Sequence, residues 1–381
     1  MVTIKARKSS NKNPPILSHE FIIQNHADIV SCVAMVFVIG LMVQITSPWA
    51  YIFIALQHNV STTEEVDAPW QPVKFTTGWK DACAVFFYFL ITIVMHAVVQ
   101  EYILDKISKK LHLSKIKLSK FNVSSQLLVF YTLSAVWGID IIMRDNLLLE
   151  FSSLWQSYPL PMSFLLKLFF IVQLAYWLHT YPELYFQRTK REEIPSRIIH
   201  ATIGLFFTLA GYIFNFQHIT VILLVIHYIG DALQHTARWV HIVYRKESRT
   251  RLTFTIANYV YIITRFITLA VAGLFYVYGL SKTDSLLDYT TGHFNIPAIR
   301  FSAFGLVALF QAYLLYEFVN RQRQRAGETS APAVHSKTKP KQQKLKKKDG
   351  KKAAASEDDD LPEVDQETKK NLRSRSATKA K

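Results

Sequence analysis

Eight apolar runs, each about as long as a bilayer core is thick, dominate this chain. They lie at roughly 29–48, 82–104, 123–143, 161–186, 197–215, 218–240, 253–280 and 297–319. A helix needs about 20 mostly apolar residues to cross the hydrocarbon, because no water there satisfies exposed backbone groups. The expected fold class is therefore all-α: a polytopic membrane helix bundle with about eight transmembrane helices and a disordered cytosolic tail. Only Asn215, Phe216, Gln217 and His218 separate the fifth run from the sixth, so they read as a hairpin or as one interrupted helix. Half the residues are hydrophobic and only 19% are charged, against about 25% in soluble domains. A uniformly soluble enzyme is excluded. Cys32 and Cys83 both lie inside apolar runs, where a thiol behaves as a small hydrophobe, and this excludes a disulfide-stapled secreted domain.

The connectors give an orientation. Lys106, Lys109, Lys110, Lys115, Lys117 and Lys120 fill the second, Arg188, Lys190, Arg191 and Arg197 the fourth, and Arg245, Lys246, Arg249 and Arg251 the sixth. The intervening connectors hold only Lys74, Lys80, Arg144 and Lys282. By the positive-inside rule the even connectors and both termini face the cytosol. The first 28 residues are polar, with no apolar region and cleavage site ahead of the first run, so that run reads as an uncleaved anchor. Two glycosylation acceptors occur. Asn59-Val60-Ser61 falls in the first luminal connector, whereas Asn122-Val123-Ser124 falls on the cytosolic side, so only Asn59 is a candidate glycan site.

Ionisable residues inside a membrane are costly, and each is a functional candidate by default. The strongest constellation is on the sixth run, where His227, Asp231, His235 and Arg238 share one helical face. Such a stripe serves as a binding or proton-transfer site with Asp231 orienting His227 or His235. In the structural alternative, Asp231 pairs with Arg238 or His235 and fixes helix packing. Arg238 also has the length to snorkel to the interface. His200, one turn into the fifth run, is placed to meet the stripe from a neighbouring helix. Arg265, near the middle of the seventh run, is expected to pair with a carboxylate or line a cavity. His179 and Glu183, one turn apart on the fourth run, join it as candidates for a buried ion pair or cavity. Asp140, His96, Glu101 and Glu317 lie nearer the interfaces and mean little alone. No phosphate-binding loop, zinc-protease helix or nucleophile elbow occurs, so neither catalytic residues nor a metal or cofactor is expected.

LSHEFIIQNHADIVSCVAMVFVIGLM, HAVVQEYILDKI, KLSKFN and QLAYWLHTYPELYFQRTKREEIP closely resemble the translocating chain-associated membrane protein family, and the similarity runs from about residue 14 to about 320. The resemblance implies an endoplasmic-reticulum protein with eight spans and both termini cytosolic. It further implies a non-enzymatic accessory beside the protein-conducting channel that contacts signal sequences and nascent transmembrane segments and assists their translocation or insertion. From about residue 117 to 326 the chain also looks like the lipid-associated domain shared with ceramide synthases. Their signature is a His-His pair on one helix and H-D-x-x-D on the next. His200 matches the first position, but the second is Ala201, and His227-Tyr228-Ile229-Gly230-Asp231 lacks the first Asp. Acyl transfer needs a base and a group to assist it, so the loss argues against acyl-CoA chemistry and for a lipid-filled or hydrated cavity. A sphingolipid-related acyltransferase using His200, His227 and Asp231, and a lipid carrier or scramblase, are the alternatives.

The expected organisation is a cytosolic segment 1–28, a transmembrane hairpin with luminal loop and basic connector 29–116, a six-helix domain 117–326 and a charged tail 327–381. Residues 321–381 hold 18 Lys+Arg and 9 Asp+Glu among very few large apolar residues. Such a composition cannot offset its ordering entropy. Its basic run suits anionic lipid or ribosomal phosphates. Without interleaved aromatics it offers no sequence-specific reading of nucleic acid.

Overall fold

The computed structural model describes Pro15 and residues 18–60, 73–156, 158–244 and 247–330, with side chains as far as Gln324. Among these, eight helices are long and apolar enough to cross a membrane. They are α1 His19–Met42, α3 Asp81–Leu111, α4 Lys115–Arg144, α5 Phe164–Phe186, α6 Ile194–Ile213, α7 Gln217–Val243, α8 Glu247–Lys282 and α9 Pro297–Ser330. A short helix, α2 Ser47–Ile54, follows the first span. The protein is an all-α multi-pass membrane bundle. Residues 1–326 form one compact unit. The N-terminal lysines, Ser61 and nearly all of the charged tail lie outside the described residues.

The helices outrun the apolar stretches that announce them. α1 begins at His19, ten residues before the first run, because Ser18 caps it: Ser18 Oγ accepts from the Phe21 N–H at 3.2 Å. The added turns dock on the end of α5, with His19 bonded to the Tyr185 hydroxyl at 2.7 Å and the His26 ring stacked on Phe186. The fifth and sixth runs are separate helices. Asn215 adopts left-handed φ of 56°, a conformation Asn tolerates at a helix end. Its side-chain amide donates to the Gly292 carbonyl at 2.7 Å.

Two helices carry the core. α7 lies between α4 and α8, and α5 packs on α3 and α6. Both are far more buried along their apolar stretches than the others. α9 buries Val307, Gln311, Leu314 and Phe318 and meets its neighbours through contacts such as Phe318 on Tyr261 and Phe310 on Phe207.

A charged clamp closes the end opposite the basic connectors. Lys167 of α5 is fully buried. Its Nζ donates to the carbonyls of Gln57 and Thr76, each at 2.7 Å, and meets Asp81 Oδ1 at 2.8 Å. Three ammonium protons thus find three acceptors. Asp81 Oδ2 accepts from the Tyr212 hydroxyl and the Gly78 N–H, both at 2.8 Å. The clamp joins α5, α3 and α6 to the first connector, whose strands β1 Asn59–Val60 and β2 Lys74–Phe75 pair antiparallel. Breaking one partner of a buried pair costs about 3–5 kcal/mol. Lys167→Met should therefore lower the thermal midpoint of the detergent-solubilised protein sharply, and adding Asp81→Asn should restore part of the loss. A neutral Lys167→Met would show the clamp to be dispensable.

Candidate functional site

The polar stripe on α7 meets a guanidinium from α8. Arg265 is fully buried, with NH1 2.6 Å from His227 Nδ1 and NH2 3.5 Å from Asp231 Oδ2. His227 Nε2 in turn lies 3.1 Å from Asp231 Oδ2. Arg265 carries only donors, so His227 Nδ1 accepts and the ring's proton sits on Nε2, within ion-pair distance of the carboxylate but not hydrogen-bonded to it. NH1 also reaches Gln311 Oε1 of α9 at 3.4 Å, and the Tyr261 ring lies 4.4 Å beneath the guanidinium. Gly230 makes the approach of α7 and α8 feasible. A Cβ there would sit 2.7 Å from Thr264 Oγ1 and 3.0 Å from Arg265 NH2.

The sequence offered His227, His235 or Arg238 as partners of Asp231 and a carboxylate as partner of Arg265; the structure brings His227 and Arg265 to Asp231. The α-helical i, i+4 spacing favours His227 and His235 equally. The His235 ring, however, turns to Tyr131, with centroids 5.7 Å apart. Its Nδ1 is buried with no hydrogen-bond partner among the described residues. Tyr131 of α4 places its hydroxyl 2.8 Å from His200 Nε2, so His200 does meet the stripe from a neighbouring helix, with Tyr131 between.

Glu183 and His179 do not join Arg265. They form a second cluster with His96, a residue the sequence reading passed over. His96 Nε2 is 3.0 Å from Glu183 Oε1, and His96 Nδ1 is 3.3 Å from His179 Nε2. Gln187 donates to Glu183 at 2.9 Å, and Gln126 donates to the His96 carbonyl at 3.3 Å. His96 stands just before a π-helical turn of α3, Val99–Leu104, a distortion common near functional sites. No group of three His, Cys, Asp or Glu among the described residues could hold a metal ion.

The clusters line two adjoining chambers. An outer one of about 290 Å³ is bounded by His96, Glu183, Asp231, His235, Arg238 and Arg321 among others, on the side of the basic connectors. An inner one of about 210 Å³ runs between α6, α7 and α9 and is mainly aromatic and aliphatic. His200, Ile203 and Phe310 line both, marking the neck; His227 faces the inner chamber and Asp231 the outer. At the positions that depart from the synthase pattern, Ala201 is fully buried and the Tyr228 hydroxyl donates to Gln173 at 2.8 Å. Gln173 continues the chain to Ser134 Oγ at 2.8 Å.

Residues 120–320 match the TLC domain family. Over 319 residues the chain is 41% identical to translocating chain-associated membrane protein 2 of Mus musculus, covering 83% of this chain and 85% of the mouse protein. Identity to the Homo sapiens protein of the same name is 39% over the same shares. The chain belongs to the translocating chain-associated membrane protein family. A more distant likeness, 22% over 170 residues, links this family member to the sphingosine N-acyltransferase LAG1 of Saccharomyces cerevisiae, across 44% of this chain and 39% of the yeast protein.

Lys167, Asp81, Tyr131 and the Tyr228–Gln173–Ser134 chain escaped the sequence reading. Lys167 was detectable as the one cation inside the fourth apolar run. The others carry no periodic signal. If Asp231 and Arg265 hold α7 to α8, a double-mutant cycle on thermal stability with Asp231→Asn and Arg265→Met should give a coupling of about 0.5–3 kcal/mol. Strict additivity would dissolve the pair.

Proposed function

We propose that this protein is a non-enzymatic accessory of the endoplasmic-reticulum translocon that assists signal sequences and transmembrane segments as they leave the channel. Its relatives' names supply the setting. The carrying observation is the ion-paired Arg265–Asp231–His227 centre within the spans, beside an outer chamber rimmed by Arg238, His235 and Glu183. A weakly hydrophobic segment beside such a surface meets hydrogen-bonding groups at a depth where lipid offers none, which lowers its transfer cost. The partners in this reading are the protein-conducting channel, the nascent segments and membrane lipids. The basic tail adds anionic lipid or ribosome.

The non-enzymatic part rests on residues 201 and 228. Ala201 has no base to contribute, and the Tyr228 hydroxyl is tied to Gln173 rather than to His227. His227 accepts from Arg265 at Nδ1, and its Nε2 lies 3.1 Å from Asp231 Oδ2.

In proteoliposomes lacking the protein, insertion of weakly hydrophobic signals should fall more than insertion of strong ones. A fixed reduction in transfer cost matters only near balance, where about 1.4 kcal/mol is tenfold in an equilibrium. Equal loss for both classes would argue for a general channel component.

The orientation belongs to the same proposal, with the basic connectors and both termini cytosolic. Asn59 is exposed in the first connector, whereas Asn122 sits within α4 beside the buried Ser124. Asn59→Gln should shift gel mobility once and Asn122→Gln should leave it unchanged. A shift from Asn122→Gln would invert the topology.

A further inference from the structure

We propose that the two chambers form a binding site for an uncharged, hydroxylated lipid with a single hydrocarbon chain, of the monoacylglycerol type: chain in the inner chamber, head in the outer. The site stands on the cavity alone and does not depend on the translocation reading.

The inner chamber dictates the chain. Its walls are Phe206, Phe207, Phe216, Leu224, Leu306 and Phe310 with similar neighbours, a lining that repels a polar group and accepts hydrocarbon. A single chamber of about 210 Å³ adjoins the outer one, so the site takes one chain. The chain enters from the bilayer at the seam of α6 and α9, which is bridged by the Phe207–Phe310 rings, 5.0 Å apart. A Cβ at Gly305 on α9 would meet nothing within 4 Å.

Charge in the outer chamber decides the head. Each carboxylate lining it has a charged or hydrogen-bonding neighbour: Glu183 has His96 and Gln187, Asp231 has His227 and Arg265, and Glu317 has Arg321 and the Tyr313 hydroxyl. Glu183 Oε2 and Asp231 Oδ2 are nevertheless buried without a hydrogen-bond partner. Arg197 is bound to Glu193 and Gln187, and Arg238 also has an interaction partner. A phosphate head would be repelled by the two open carboxylate oxygens and would compete for cations already paired, which is costly away from water. A quaternary ammonium head has no N–H to donate to those oxygens. A hydroxylated head donates to them, and it also meets His235, which is 93% buried and lines the chamber with Nδ1 unpartnered. A hydroxyl both donates and accepts, so it satisfies either tautomer of that ring.

The test uses the full-length protein purified in detergent, with no channel or ribosome present, and tritiated monooleoylglycerol as probe. Saturable binding is expected, at least tenfold tighter than for monooleoyl lysophosphatidate, lysophosphatidylcholine, dioleoylglycerol or cholesterol. Ala303→Phe, which fills the inner chamber from α9, should lower affinity at least tenfold with the thermal midpoint retained. Should that variant misfold, Leu306→Trp serves the same purpose from the same helix. His235→Leu should weaken binding about 2- to 10-fold, the worth of one hydrogen bond. Binding that is unsaturable, tighter for a charged head, a second chain or a sterol, or unchanged in the folded chamber-filling variants would overturn the proposal.

Discussion

A guanidinium buried among eight membrane-spanning helices has to be answered by the protein, since nothing in a bilayer core will answer it. Arg265 sets that requirement here. Asp231 and His227 meet it from α7, Gln311 from α9 and the Tyr261 face from α8 itself. Gly230 exists at the one point where a methyl group would have kept α8 from reaching α7. The pairing does more than hold two helices. It makes His227 Nδ1 an acceptor and so leaves the ring's proton on Nε2. The buried ring nitrogen of the stripe without a partner is His235 Nδ1, two turns along the helix.

Lys167 poses the same problem at the other end and receives the same kind of answer. Three acceptors surround its ammonium, two of them backbone carbonyls of the first connector. The bundle is thus pinned by ionic contacts at two depths, one among the spans and one where the connector folds back. Between them the packing is apolar and densest on α5 and α7. From the centre the Arg265–Gln311 bond crosses to α9, and the α6–α9 seam is bridged by the Phe207–Phe310 rings.

The span count and the hairpin at Asn215 were legible because a bilayer leaves a chain few choices, and hydropathy reports them directly. The positions of His227, Asp231 and Arg265 were legible for the same reason: an ionisable residue in an apolar run stands out. Their pairing was not. Helical spacing gives His227 and His235 the same claim on Asp231, and only the tilt of Tyr131 and the approach at Gly230 decide between them. His96 was misjudged because its depth was read from its own run. Its importance comes from α5, which brings His179 and Glu183 to it. Nor does a sequence show that the Tyr228 hydroxyl is directed at Gln173, although that contact carries much of the argument against acyl transfer.

The likeness to an N-acyltransferase and the membership in a translocation family meet in the two chambers. An enzyme of this plan needs a histidine able to cycle a proton, open on one side to its substrate. Here Arg265 occupies Nδ1 of His227, and Asp231 lies within ion-pair distance of Nε2. The two chambers, with aromatic walls, a neck at His200 and a polar rim, lie on either side of that ring. In the proposed reading the cavity is used for binding and release, and the Arg265–His227 contact is part of the frame that holds it open.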